Sequence, residues 1–339
     1  MGPLNLELLR QVIDPSIRSF TLSPIKTGAA PSIVYRVALI SEEGHPPLPS
    51  LILKVIAPHW PNDPWGELRE FTFYREILPS LSLRSPRVYY LGLDERSGAR
   101  MILMEDLSTN FRFYPPDHAW SRREMQCLLR SYALLHSEGT AALPTQEQRS
   151  WLAPRHERRC TLEGLQPMAE ELSVRGVWSS ISGLGSLLER TAAEAARWQD
   201  WPVTLLHCDG YSPNFAMPQD LEQEGVLIDW EMISWGIAEI DLAYLFMQPF
   251  CSAREIDREE ALDYYWAQRR IRQGAAPARS ERMALQAYAD SLLAITQIPV
   301  AYRVACSPFP SGSEQGQYWE AMFKVLNLRL QEMSETRFG

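Results

Sequence analysis

The chain has 339 residues, 45% hydrophobic and 22% charged, which excludes a disordered protein and is long enough for two packed bodies rather than a single core. Its 42 acidic and 33 basic residues give a net charge of -9, which argues against a nucleic-acid binder, whose footprint is basic. No run of about 18 apolar residues occurs, so no membrane span is expected.

The opening stretch, MGPLNLELLRQVIDP, has early acids and no basic region ahead of an apolar block, so no secretory leader is expected. The β-rich runs Ile33 to Ile40 and Leu51 to Ile56, separated by the turn-rich SEEGHPPLPS, predict two strands. GELREFTFYREIL (66–78) sets Leu68, Phe71, Tyr74 and Leu78 at helical spacing and predicts one helix. Two further strands are expected over Arg87 to Leu91 and Met101 to Met104. After Asp106 the pattern becomes mostly helical. His118 to Glu138 carries Met125, Leu128, Leu129, Tyr132 and Leu135 on one face; Gly185 to Trp198 and the segments 255–272, 279–296 and 316–334 also predict helices. In 204–230, by contrast, short apolar runs flank polar loops.

The expected fold class is therefore α+β and bilobal. A small β-rich lobe (1–105) precedes a larger, mainly helical lobe (106–339), with a ligand cleft between them. Residues 1–105 hold 11 acids and 11 bases, so the whole negative excess falls in the second part. That acidity would attract a cationic small molecule, or simply keep the surface soluble. The five cysteines are scattered and form no CxxC pair, which argues against zinc or a disulfide framework and suits a reducing cytoplasm.

Candidate chemistry concentrates in Leu205 to Phe215, LLHCDGYSPNF, which contains H-x-D-x-x-x-x-N. Eleven residues beyond Asn214 begins GVLIDWE, an apolar run ending in Asp229. Phosphoryl transfer needs such groups: a carboxylate to orient the attacking hydroxyl and take its proton, oxygen ligands for Mg²⁺, and a lysine to neutralise phosphate charge. Asp209 can serve as the base, with Asn214 and Asp229 as the hard oxygen ligands.

HCDGYSPN followed by LIDWE resembles the catalytic and metal-binding motifs of the aminoglycoside phosphotransferase and choline kinase superfamily, relatives of protein kinases. The resemblance implies a protein-kinase-like fold, ATP and Mg²⁺ as cofactors, and a small-molecule acceptor. It implies that Lys54 holds the α and β phosphates and that Glu70 is its helix partner, although Glu67 or Glu76 could fill that place. It makes Met104, Glu105, Asp106 and Leu107 the linker whose backbone binds adenine, and Asp241 in EIDLA a structural aspartate. Leu134-Leu135-His136 is similar to the family's helix end before the substrate region. The phosphate-covering loop falls between about residues 24 and 34 with Gly28 as its one glycine, leaving Ser32 and nearby N–H groups as phosphate contacts. Cys208 stands where the family usually has Gly, and Gly210 where a larger residue is common.

His207 reads as a hydrogen-bonding scaffold, because Asp209 already fills the base role; His136 and a buried Cys208 read as structural. Of the tryptophans Trp178, Trp198, Trp201, Trp230 and Trp235, one or two could line an acceptor pocket. Glu163, Glu170, Glu171 and Glu231 are candidates for holding substrate amines. The acceptor expected first is an aminoglycoside-type antibiotic, then an amino alcohol, a sugar or another hydroxylated metabolite; a silent nucleotide-binding regulator is the contrasting reading. The absence of D-F-G and A-P-E sequences after Asn214 argues against a protein kinase.

Overall fold

The computed structural model describes residues 4–25, 32–58, 66–115, 118–143, 152, 162–176, 184–198, 200–210, 212–247, 257–274, 276–306, 320–321, 323–324 and 327. Helix α1 (Leu6–Val12) opens the chain, capped by the Asn5 side chain, which accepts from the Leu8 N–H at 2.8 Å. Strands β1 (Ile17–Ile25), β2 (Ser32–Ser41) and β3 (Leu51–Ile56) follow, then α2 (Gly66–Thr72), β4 (Val88–Leu93) and β5 (Arg100–Glu105). The five strands form one antiparallel sheet in the order β1-β2-β3-β5-β4. Periodicity does not announce α1 and β1. β1 is largely solvated and contains Pro24, so it lacks the apolar alternation of a half-buried strand.

Central strand β3 decides the direction of the site. Alternation places Leu51, Leu53 and Val55 on the face that packs with Leu9 of α1. Ile52 and Ile56 join the larger core on the opposite face, and Lys54 lies with them, toward α2. The helix expected over 66–78 changes winding partway: α2 ends at Thr72 and continues as a π-helical turn over Phe73–Ile77, then a 3₁₀ turn over Leu78–Ser80. The wider turn buries Phe73, Tyr74 and Ile77 together.

The second part begins with the short β6 (Phe111–Arg112) and the long α3 (Arg122–Ala142). α3 starts later than His118 because Ser121 and Glu124 form a reciprocal capping box; it also runs past His136 to Ala142, so that histidine is not at the helix end. Next come α4 (Leu162–Val174), α5 (Leu184–Arg197), β7 (Thr204–Leu206), β8 (Phe215–Pro218), β9 (Val226–Leu227), β10 (Ser234–Gly236), α6 (Glu239–Met247), α7 (Arg258–Gln273) and α8 (Arg279–Ala305). β7 pairs with β10, and β6, β8 and β9 form a second small sheet. Most of the helix expected over 316–334 lies outside the described residues. Among the described residues, no helix is long and apolar enough to cross a membrane.

One large core joins α2 and its π turn to α3, β8, α6 and α7. A second packs α4, α5, α6 and α8 around the strand leading into the 207–214 loop. Both cores reach that loop, which is thereby held on rigid elements rather than exposed at a surface turn.

Candidate active site

Lys54 is buried, and its ammonium meets three carboxylates. Glu70 Oε2 lies at 2.5 Å, Glu231 Oε2 at 3.4 Å, and Asp229 Oδ1 accepts a short hydrogen bond from the same nitrogen. Burial, the largest single influence, pulls the lysine down, but the combined attraction of Asp229, Glu70 and Glu231 raises it well above its ordinary value, so it stays charged. Burial raises Glu70 against the opposing pull of Lys54. Burial and the Asp229 charge push Glu231 up to about 8. Three carboxyl groups thus share one ammonium. Glu70 is the helix partner of Lys54, whereas Glu76 pairs with Arg75 at 2.5 Å; the Glu67 side chain lies outside the described residues.

Asp229 adopts a left-handed backbone, φ 63, immediately before Trp230. The Trp230 indole is fully buried and stacks on Phe73 at 4.0 Å, its ring N–H donates to the Leu227 carbonyl at 3.2 Å, and the backbone N–H of Trp230 donates to Glu70 Oε1 at 3.4 Å. The π turn after α2 is therefore joined directly to the residue that positions Asp229. Trp230 is a packing residue and is unavailable to a substrate. Trp198 is likewise buried, edge-on to Trp201 at 5.3 Å, and Trp235 donates to the Leu152 carbonyl at 3.0 Å. Trp178 lies outside the described residues.

The β8–β9 hairpin brings the two halves of the motif together. The Ile228 N–H donates to the Asn214 carbonyl at 3.0 Å, so Asn214 and Asp229 flank the same end of the pairing. The Asn214 amide donates to Asp209 Oδ2 at 2.7 Å, which turns its own amide oxygen away from that carboxylate. Asp209 also edges a cavity of about 10 Å³ lined by Trp120, Tyr132, Asn214 and Leu227, room for about one water. His207 is buried, with Nε2 at 2.9 Å from the Ile228 carbonyl; burial lowers its basicity. It serves as a neutral scaffold for the Asp229 strand, as expected. Asp241 takes the His207 and Cys208 N–H groups on its two oxygens, at 2.8 and 2.7 Å. Cys208 itself sits at φ 59, the conformation that suits the glycine usual at this position.

In the linker, Asp106 faces the sheet. Its carboxylate accepts from Arg36 at 2.8 Å, Ser50 at 2.7 Å and the Ser108 N–H at 3.0 Å. The Glu105 N–H is bound to the Arg87 carbonyl at 2.8 Å, Met104 pairs with Ile52 across the sheet, and Leu107 packs on Phe111, Ala216 and Val226. Ser32 is buried opposite Ile56, two positions from the Val34–Lys54 pair. Residues 26–31 of the expected phosphate loop lie outside the described residues.

The family model of the phosphotransferase enzyme family matches residues 21–285, a span that runs from β1 through the 207–214 loop and Asp229 into α8. The chain belongs to this phosphotransferase family. No curated protein matches it. Among solved structures, the GDP complex of aminoglycoside 2'-phosphotransferase-IIIa is 12% identical, covering 96% of this chain and 96% of its own, with a TM-score of 0.60. An amicoumacin kinase in complex with AMP-PNP and Ca²⁺ is 14% identical over 98% of this chain and 94% of its own, TM-score 0.59. Spectinomycin phosphotransferase with ADP and spectinomycin is 12% identical over 97% and 99%, TM-score 0.58. Identity this low speaks for the fold alone: the bilobal, protein-kinase-like α+β arrangement expected from the sequence.

Within this phosphotransferase, the acids at Lys54 suit a hard cation. Glu70, Asp229 and Glu231 each present an oxygen within 4.8 Å of the others, an all-oxygen set of the kind that holds Mg²⁺. The residue that sequence reasoning misplaced is Glu231. It was a candidate for holding a substrate amine, but it is buried against Lys54. Its signal was its position two residues after Asp229 at the mouth of the same strand. Of the other amine candidates, Glu171 pairs with Arg175 at 2.7 Å and Glu170 accepts from Gln166 at 2.9 Å, while Glu163 lies exposed on α4.

Proposed function

We propose that this phosphotransferase moves the γ-phosphate of Mg-ATP onto a hydroxyl of a small molecule. The observation that carries the reading is the convergence of Lys54 from the sheet with Glu70, Asp229 and Glu231, beside the segment between β7 and β8 that carries Asp209 and Asn214. Lys54, held charged, neutralises phosphate oxygens and is oriented by Glu70. Asp229, with Glu231 or the Asn214 amide oxygen, holds the Mg²⁺, which when bound neutralises charge developing on the transferred group. Asp209, half-buried and fixed by Asn214, orients the acceptor hydroxyl and takes its proton. Met104 to Leu107 receive the adenine along their backbone, and Ser32 stands at the start of the strand that follows the phosphate loop. The lobes divide near residue 105, where the five-stranded sheet ends.

The acceptor class to test first is the aminoglycoside-type antibiotic, supported by the negative excess of residues 106–339; amino alcohols and sugars follow. The test is ATP consumption and phosphorylated product across a panel of these acceptors. Product with one class identifies the acceptor. Tight ATP binding without product from any acceptor would replace this reading with a silent nucleotide binder.

A further inference from the structure

The catalytic loop is strained where it matters most. Cys208, at φ 59, immediately precedes Asp209, and a non-glycine residue keeps that conformation only when its surroundings over-determine it. The Asp241 carboxylate supplies that restraint through the His207 and Cys208 N–H groups. Asp241 has a third, fully buried partner: His136 Nε2 on α3, at 3.0 Å. The other nitrogen of that ring, Nδ1, lies 2.8 Å from the Tyr265 hydroxyl on α7. Tyr265 is also fully buried, and Arg269, one turn further along α7, places NH1 3.4 Å from the same hydroxyl.

Donor chemistry orders this chain. A carboxylate only accepts, so Nε2 of His136 carries the hydrogen. Burial keeps the imidazole neutral, so Nδ1 accepts and Tyr265 donates. The phenol oxygen then accepts from Arg269. Every hydrogen from α7 onward points toward Asp241.

We propose that Tyr265 and His136 are positioning residues for phosphoryl transfer, fixing the orientation of Asp241 and through it the backbone that presents Asp209. The inference rests on the assignment of Asp209 as the base. Loss of the Tyr265 hydroxyl leaves a buried imidazole nitrogen without a donor and takes away the second anchor of the ring, so the His136 donor that sets the Asp241 rotamer is held less firmly. The ring itself packs edge-on to Trp266 at 5.5 Å, a contact that Tyr265→Phe retains.

The test compares Tyr265→Phe, His136→Gln and His136→Ala with the parent chain, by hydrogen exchange of the segment 204–210 and by steady-state phosphoryl transfer. We expect the loop amides of Tyr265→Phe to exchange roughly tenfold faster while α3 and α7 exchange as before. Turnover should fall roughly tenfold with KM for ATP within about twofold. His136→Gln, whose amide can still donate to Asp241, should recover part of what His136→Ala loses. A folded Tyr265→Phe with unchanged loop exchange and turnover overturns the proposal. So does exchange that rises evenly through α3, α6 and α7, which is the mark of packing alone. If the parent chain phosphorylates no acceptor, the base assignment fails, while loop exchange still reads the relay.

Discussion

Cys208 occupies a left-handed conformation in which a Cβ crowds the following carbonyl at a cost of about 1–2 kcal/mol. Its thiol is buried in the second core, so packing and the two Asp241 hydrogen bonds offset the strain. Cys208→Gly should therefore leave stability within about 1 kcal/mol, because relief of strain is set against lost packing and a freer unfolded chain. Cys208→Val, β-branched at positive φ, should lose about 1–3 kcal/mol. Urea unfolding of both variants checks the contrast. Lys54 makes a second case. Lys54→Met leaves three acids crowded without their cation and should lower stability by about 3–5 kcal/mol in the absence of nucleotide, again read from denaturant midpoints. These residues were also the most legible in the sequence. Lys54 is one of only three lysines, and Asp209, Asn214 and Asp229 stand at a spacing that one loop and hairpin can present. Glu231 was misread because acidity says nothing about which way a side chain faces; only the turn after Asp229 buries it.

Elements were legible where alternation or helical spacing was clean. β3 matches its expected bounds, since Leu51, Leu53 and Ile56 are buried on both faces of a central strand. β1 was missed because its contribution is edge pairing rather than burial. The α2 region read as one helix because the apolar spacing of 66–78 cannot reveal that a π turn forms where Phe73 meets Trp230, a partner 157 positions away in sequence. A close approach was equally invisible. α3 crosses β7 at Gly139, where an added Cβ would lie 2.5 Å from Thr204 Oγ1 and 2.9 Å from the Leu205 nitrogen. Alanine in a helix gains about 1 kcal/mol over glycine, but a backbone nitrogen cannot give way, and overpacking costs about 1–3 kcal/mol. Gly139→Ala should therefore lower the melting temperature and, because β7 leads into the catalytic loop, lower turnover as well. A rise in melting temperature would show that α3 has room to move.

At the scale of the whole molecule, the acid–base balance of the buried interior sets how stability responds to pH. Glu239 is fully buried, and burial, opposed by the Arg269 charge, pushes its carboxyl from an ordinary 4.5 up to about 7. The folded chain thus holds a proton that the unfolded chain loses between those values. The contribution is complete below about pH 4.5 and is lost as pH rises through about 7. Glu239→Gln removes that titration, so the variant should gain on the parent by about 3 kcal/mol between pH 5 and pH 8; thermal unfolding at both pH values measures it. A gap that stays constant with pH would place the ionised carboxylate in contact with a donor. The α+β fold, a β-rich sheet followed by a mainly helical part, was legible from the shift of periodicity near residue 105. The buried network beneath the loop was not, because His136, Asp241 and Tyr265 meet only once three helices have packed.

The proposed phosphoryl transfer needs Asp209 to act on the acceptor while Lys54 and the clustered acids hold the metal-nucleotide. Single-turnover phosphoryl transfer by Asp209→Asn, measured alongside its ATP affinity, tests that division most directly. The predicted result is ATP binding close to that of the parent chain with transfer slowed by about 10²–10⁴-fold, the usual worth of a positioned base. Transfer at the parental rate would contradict it.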